Sequence, residues 1–264
     1  MDHRPRFAIK MDALQRMVMK HTLSHVLPLY IVTEYPKSGG TWVGQMLAHY
    51  FDVPFPRNCA PRIESCIMHC HSLYSPLMRN VFCVVRDGRD VMVSAYYHMF
   101  FHNEKNSPLL VERARKQNRF RDYEDVEANL PRVIEYLFTV ENRRLFHFNW
   151  NEFIDSWADR PRAVMVKYEH LLEDAAAALK EPIERVTGRA ADLARLEGAK
   201  ARFCFQAVAG RRAGTEVKGS FLRKGTAGDW KNKFSKEARE LFHQYAGHNL
   251  IRLGYEPDGS WVCA

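Results

Sequence analysis

The chain has 264 residues, 46% hydrophobic and 27% charged, a balance that fits a folded globular enzyme and excludes a disordered or fibrous chain. A formal net charge of +8 and a pI of about 9.2 point to an anionic partner, but the positive residues are dispersed and no tract is dense enough for a nucleic-acid arm. No segment approaches the roughly 20 apolar residues of a membrane span, and the six cysteines contain no C-x-x-C pair, so they read as free thiols of a reducing, cytoplasmic compartment.

The N-terminal stretch "RPRFAIKMDALQRMVMKHTL" is not expected to be a signal peptide, because charges interrupt every apolar run. Phe7, Met11, Leu14 and Val18 recur at helical spacing among Arg4, Arg6, Lys10, Arg16 and Lys20. Residues 1–28 thus read as an amphipathic helix that packs on the domain or, through residues 4–20, touches a membrane or a partner. Apolar runs at 29–33, 81–85 and 163–167 read as buried strands, and helical patterns at 41–51 and 88–101 follow the first two. Residues 108–160 look mainly helical, and a last helix runs from Ser235, as N-cap, to about Leu253, where Gly254 stops it. With no internal repeat or linker, this alternation predicts a single α/β domain over 1–264, a central parallel sheet flanked by helices. Ligands then sit at the carboxyl ends of the strands.

Two stretches fall at such strand ends, and a third is a basic loop. The first is "YPKSGGTW", residues 35–42, a Gly-bearing turn between a strand and a helix, which surrounds an anion with backbone N–H groups. Lys37 precedes the glycines, so this is not the G-x-x-x-x-G-K-[ST] loop of ordinary ATPases. The second is "VVRDGRDVMVSAYYH", residues 84–98, in which Arg86 and Ser94 can grip one phosphate, and Asp87 and Asp90 read as partners that fix Arg86 and Arg89. The third is "FLRKGTAGDWKNKF", residues 221–234, in which Arg223, Lys224 and the Gly225 amide make a compact anion clamp.

In this order, the three stretches resemble the motifs of sulfotransferases that use 3′-phosphoadenosine 5′-phosphosulfate (PAPS), of the soluble cytosolic and bacterial type. The third matches the family signature R-K-G-x-x-G-D-W-K-N-x-F almost throughout, and the resemblance spans roughly residues 29–240. It implies a single P-loop-like domain. It also implies that Lys37, Ser38, Gly39, Gly40, Thr41 and Trp42 surround the phosphosulfate end, with Trp42 stacked on adenine. Arg86, Ser94, Arg223, Lys224 and Gly225 would take the 3′-phosphate. Tyr168 in "VMVKYEHLLED" and Phe205 in "RFCFQAVAGRRAG" match the aromatics beside the adenine, though Phe203-Cys204 replace the Thr-Ser that precedes Phe205 in soluble animal members.

The family base is a histidine, and "SCIMHCHSLYSP" offers two. The pattern Lys-Thr-His places His71 on the base and His69 where a lysine usually stands. The implied reaction is in-line attack of an acceptor hydroxyl on sulfur, with Lys37 at the bridging oxygen, adenosine 3′,5′-bisphosphate (PAP) as product, and no metal. Cys66, His69, Cys70 and His71 do form a run of metal-type ligands, but ligands so close in sequence do not easily close one tetrahedron. The rival readings are a P-loop kinase or NTPase and a non-catalytic nucleotide binder. The first lacks a Walker B acid, since Arg86 ends the strand where an aspartate is wanted; intact Lys37 and His71 argue against the second.

The acceptor is expected to be a glycan or glycolipid hydroxyl, with a small lipophilic alcohol or phenol as the alternative. Tyr96, Tyr97, Phe100, Phe101, Trp150, Phe153 and Trp157 are candidate walls for it, though core packing explains most. Ser235-Lys236 replace the apolar centre of the dimer segment of animal members, between Lys231 and Glu240, so that dimer is not expected and the oligomeric state stays open.

Overall fold

The computed structural model describes residues 6–57, 63–139 and 147–263. Among the described residues there are four strands: β1 (Tyr30–Glu34), β2 (Ile67–Cys70), β3 (Val81–Val85) and β4 (Val164–Lys167). The helices, in chain order, are α1 (Arg6–His21), α2 (Gly40–Phe51), α3 (Gly88–Tyr97), α4 (Asn103–Asn106), α5 (Pro108–Gln117) and α6 (Val126–Phe138). They continue with α7 (Trp150–Trp157), α8 (Tyr168–Thr187), α9 (Leu193–Phe203), α10 (Phe205–Ala209) and α11 (Lys236–Arg252). The chain forms two compact units, one of residues 1–85 with 156–211, the other of 86–155 with 212–264.

The first unit holds the whole sheet. All neighbours are parallel and the order is β2-β1-β3-β4. Strands β1 and β3 lie in the middle, and the VFCVV run of β3 is buried throughout, as a parallel strand covered on both faces requires. One face carries Val32, Ile67, Phe82, Val84 and Val166 against Val43, Met46 and Leu47 of α2 and Leu171 and Leu179 of α8. The opposite face, at the β2 edge, packs Met68 and Leu29 against Met19 of α1. Ile67 and Met68 therefore point to opposite faces, the period-2 alternation of a strand. The expected α/β architecture of a parallel sheet flanked by helices holds. The chain order reverses between β1 and β3, and such switch points place ligands at carboxyl strand ends.

The second unit is helical. A Cβ on Gly88 would lie 2.6 Å from Phe242, so glycine lets the first turn of α3 approach α11. The helix expected over 88–101 instead stops at Tyr97 and passes into a π-turn, His98–His102. Ser235 caps α11 as expected, its hydroxyl accepting from the Ala238 N–H, and Gly254 follows at φ 69°. Among the described residues no helix is long and apolar enough to cross a membrane.

Several details differ from the expectations. Strand β2 was not foreseen; its residues read as loop. Cys66 and Cys83 are buried and Cys204 is half-buried, its thiol at the end of α9 and 3.5 Å from the Ala201 carbonyl. Cys59 and Arg4 lie outside the described residues.

Candidate active site

The turn at the carboxyl end of β1 is shaped by two left-handed residues. Lys37 sits at φ 78°, a conformation that is strained for a side chain other than glycine's and is kept at functional turns. Gly39 sits at φ 103° and serves as the N-cap of α2. A Cβ there would lie 2.6 Å from the Tyr168 ring, so the glycine also makes room for that ring. The loop then aims the N-terminal dipole end of α2 at one small space. Two buried polar atoms beside it, the Ser38 hydroxyl and the Trp42 indole N–H, have no hydrogen-bond partner among the described residues. Buried donors of this kind are costly unless a ligand or water meets them, so the cradle fits the phosphosulfate group of PAPS.

Gly40 plays a different part. Its N–H donates to Glu34 Oε2 at 2.7 Å. A Cβ on Gly40 would lie 2.8 Å from the Glu34 carboxyl carbon, so what the position supplies is the absence of a side chain.

Glu34, the last residue of β1, organises the neighbouring histidines. Parallel pairing sets Val32 beside His69 and Thr33 beside Cys70, so the Glu34 step arrives level with His71. His69 Nε2 donates to Glu34 Oε1 at 2.9 Å. The Glu34 side chain is 5% exposed, and burial alone would raise its pKa. The His69 hydrogen bond, the two imidazoles and the Gly40 N–H outweigh this and hold it down to about 2. His71 Nδ1 lies 3.0 Å from the Glu34 carbonyl oxygen. A carbonyl can only accept, so Nδ1 carries the proton and Nε2 presents its lone pair. Lost hydration lowers the His71 pKa below 6.5. Glu34 pulls it upward, while His69 and Arg57 push it further down, and the net result is a neutral imidazole near pH 7.

Three of the predicted aromatics lie in this unit. Trp42 meets Tyr168, at the start of α8, edge to face with ring centres 6.0 Å apart. Phe205 opens α10 with the Arg211 guanidinium 5.1 Å from its ring.

The second unit carries the other predicted residues. Arg86 Nη2 donates to the Thr226 carbonyl at 3.3 Å and lies 3.6 Å from Asp90. Asp90 in turn accepts from the Gly228 and Trp230 N–H groups at 2.7 and 3.0 Å, which ties α3 to the 225–230 loop. Arg223 and Lys224 both pair with buried Asp229, at 2.7 and 2.5 Å, and Arg223 also pairs with Glu216. Burial would raise the Asp229 pKa, but the two cations bring it below the usual range. Gly225 sits at φ 67° between them and the turn. Ser94 is half-buried on α3, two turns from Arg86. Asp87 grips Arg89 as expected, and Arg89 stacks 3.7 Å above the Trp230 ring.

Most of the predicted acceptor walls prove to be core. Tyr96, Tyr97, Phe100, Trp150, Phe153 and Trp157 are buried, and only Phe101 is partly open. Glu34 was missed. An acidic residue ending a buried strand was the available signal.

The family model of the sulfotransferase domain matches residues 54–254. Sulfotransferase 6B1 of Homo sapiens is 25% identical over 263 residues, covering 86% of this chain and 79% of its own; the Pan troglodytes protein of the same name is likewise 25% identical with the same coverage. Among solved structures, mouse sulfotransferase SULT7A1 complexed with PAP superposes with a TM-score of 0.61 at 16% identity, over 88% of each chain. Retinol dehydratase with androsterone and PAP gives 0.57 at 16% identity, over 91% of this chain and 85% of that one. The chain therefore belongs to the PAPS-dependent sulfotransferase family and is an enzyme of that class.

Proposed function

We propose that the chain moves a sulfuryl group from PAPS to an acceptor hydroxyl with His71 as the general base. The carrying observation is the tautomer. Proton donation from Nδ1 to the Glu34 carbonyl leaves Nε2 able to take the hydroxyl proton. PAPS supplies the activated sulfuryl group. Lys37 stabilises charge on the bridging oxygen as PAP leaves. Ser38, Gly39, Thr41 and Trp42 hold the phosphosulfate end, with Gly40 giving room for Glu34. Tyr168 and Phe205 flank the adenine, with Trp42. Arg86, Ser94, Arg223, Lys224 and Gly225 take the 3′-phosphate. Turnover needs no metal. The family match runs through both units, which supports reading 1–264 as one domain.

For the acceptor we keep a glycan or glycolipid hydroxyl. A small lipophilic alcohol is the second reading, favoured by two structural neighbours solved with androsterone and with retinol. We place the enzyme in the cytoplasm, with peripheral membrane contact through residues 4–20. Exposed Phe7, Met11, Leu14 and Val18 on α1 and the free thiols support this.

The test is sulfuryl transfer from PAPS across an acceptor panel, with PAP affinity measured alongside. His71→Ala should lose roughly 10²–10⁴-fold in turnover at unchanged PAP affinity. His69→Ala should lose much less. The reverse result would move the base to His69.

A further inference from the structure

The run Cys66, His69, Cys70, His71 does not come together as one cluster. Cys66 is buried against Met19, Leu29 and Met68, and burial pushes its thiol up to about 11. Cys70 follows His69 on β2 and by strand alternation points to the other face. His69 and His71 are two residues apart, so they share a face, with ring centres 5.0 Å apart. The neighbouring strand β1 delivers Glu34 to the same face. One ligand atom from each of Glu34, His69 and His71 falls within 4.8 Å of the other two. We propose that Glu34, His69 and His71 form a three-ligand site for a divalent transition metal of the zinc type.

The donor set suits the ion. Imidazole nitrogen and carboxylate oxygen favour zinc or cobalt over magnesium or calcium. Ligand bonds of about 2.0–2.2 Å put neighbouring ligand atoms roughly 3.4 Å apart in a tetrahedron. Glu34 Oε1 and His69 Nε2 are already 2.9 Å apart, and the His71 ring need move only by about an ångström to close the set. The carboxylate is also prepared. Its second oxygen accepts the Gly40 N–H, an outer hydrogen bond of the kind that orients metal-bound carboxylates. The ion takes the place of the proton between Oε1 and Nε2, and the ligated imidazole carries its single N–H on Nδ1 instead. Arg57 is the positive group that opposes a cation here. The fourth position stays open to water.

The site's effect on turnover rests on His71 being the base, because a ligated imidazole cannot accept a proton. Metal binding itself does not depend on that assignment. The experiment titrates the whole enzyme with Co²⁺, followed by its visible d–d absorption, and with Zn²⁺ in competition against a chromophoric chelator. We expect one ion per chain, tetrahedral cobalt bands, and at least a tenfold loss of affinity in His69→Gln and in Glu34→Gln. PAP affinity in each variant reports the fold, and either variant that keeps it decides. Wild-type protein without a stoichiometric ion overturns the site. So does unchanged affinity in a folded variant, or a sulfur-to-cobalt charge-transfer band that puts a cysteine on the metal. Zinc should also suppress wild-type turnover, with recovery in EDTA. Binding without suppression keeps the metal site and removes His71 as base.

Discussion

The two anion-handling regions are built on opposite plans. The turn at residues 35–42 relies on backbone geometry, with left-handed residues, a helix N-terminus and buried donors that have no partner among the described residues. The stretch at 223–229 relies on side-chain charge that is already spoken for, since Asp229 holds both Arg223 and Lys224. The first plan keeps its donors in place before anything binds. The second keeps two cations ordered by a counter-charge, so an arriving phosphate competes with a carboxylate. The first therefore suits transition-state charge, and the second suits recognition of the substrate.

The largest effect that would break this contrast is at Lys37. Lys37→Ala should lower turnover ~10²–10³-fold, the usual loss for one electrostatic donor at a reacting centre. Arg223→Ala should act chiefly on affinity. Comparable loss of kcat in both variants by steady-state kinetics would erase the distinction.

The next effect concerns the 3′-phosphate. A charge-assisted hydrogen bond contributes roughly 1.5–3 kcal/mol, so PAP should bind at least tenfold more tightly than AMP. Calorimetry should show this preference shrinking in Arg223→Ala and persisting in Lys37→Ala. Equal affinity for AMP and PAP in the wild-type enzyme would count against the roles given to Arg86, Ser94, Arg223 and Lys224.

Gly39→Ala sharpens the first plan. The added methyl meets both a positive φ and the Tyr168 ring. Strain of this sort costs roughly 1–3 kcal/mol, and we expect about a tenfold weaker PAP complex with a lowered Tm. Gly228→Ala makes a control: its φ is also positive, at 79°, but no neighbour lies within 4 Å of the added carbon. It should cost less.

The smallest effect is in pH dependence. A base whose pKa is lowered stays neutral to lower pH, so the acid limb of kcat/KM should fall below 6.5. Glu34 raises that value, so Glu34→Gln should move the limb further down. An upward movement would mean that another group titrates in the limb.

Much of the fold was legible in the residues. Strands β1, β3 and β4 are apolar runs long enough to stand out, and α11 carries its own start and stop at Ser235 and Gly254. Strand β2 was not legible. It has four residues, and a His-Cys pair ends it, so neither length nor apolar pattern separates it from loop. Missing β2 meant missing Glu34, whose role exists only because the parallel register carries His69 and His71 alongside it. The aromatic residues taken as candidate walls show the opposite limit. Burial of Tyr96 or Trp157 goes with partners far away in sequence, Asn129 for the first and Ser72 and Tyr74 for the second, and a local pattern cannot distinguish a core face from a pocket wall.

The fit between Glu34 and Gly40 binds the history of two positions. Any side chain at 40 must enter the volume held by the Glu34 carboxyl group, so the two residues cannot vary independently. A lineage can shorten position 34 first and then enlarge position 40. The reverse order passes through a clash at the base of the anion loop. Within relatives that keep this loop, an acid at 34 should therefore travel with glycine at 40, and a substituted 40 with a small residue at 34.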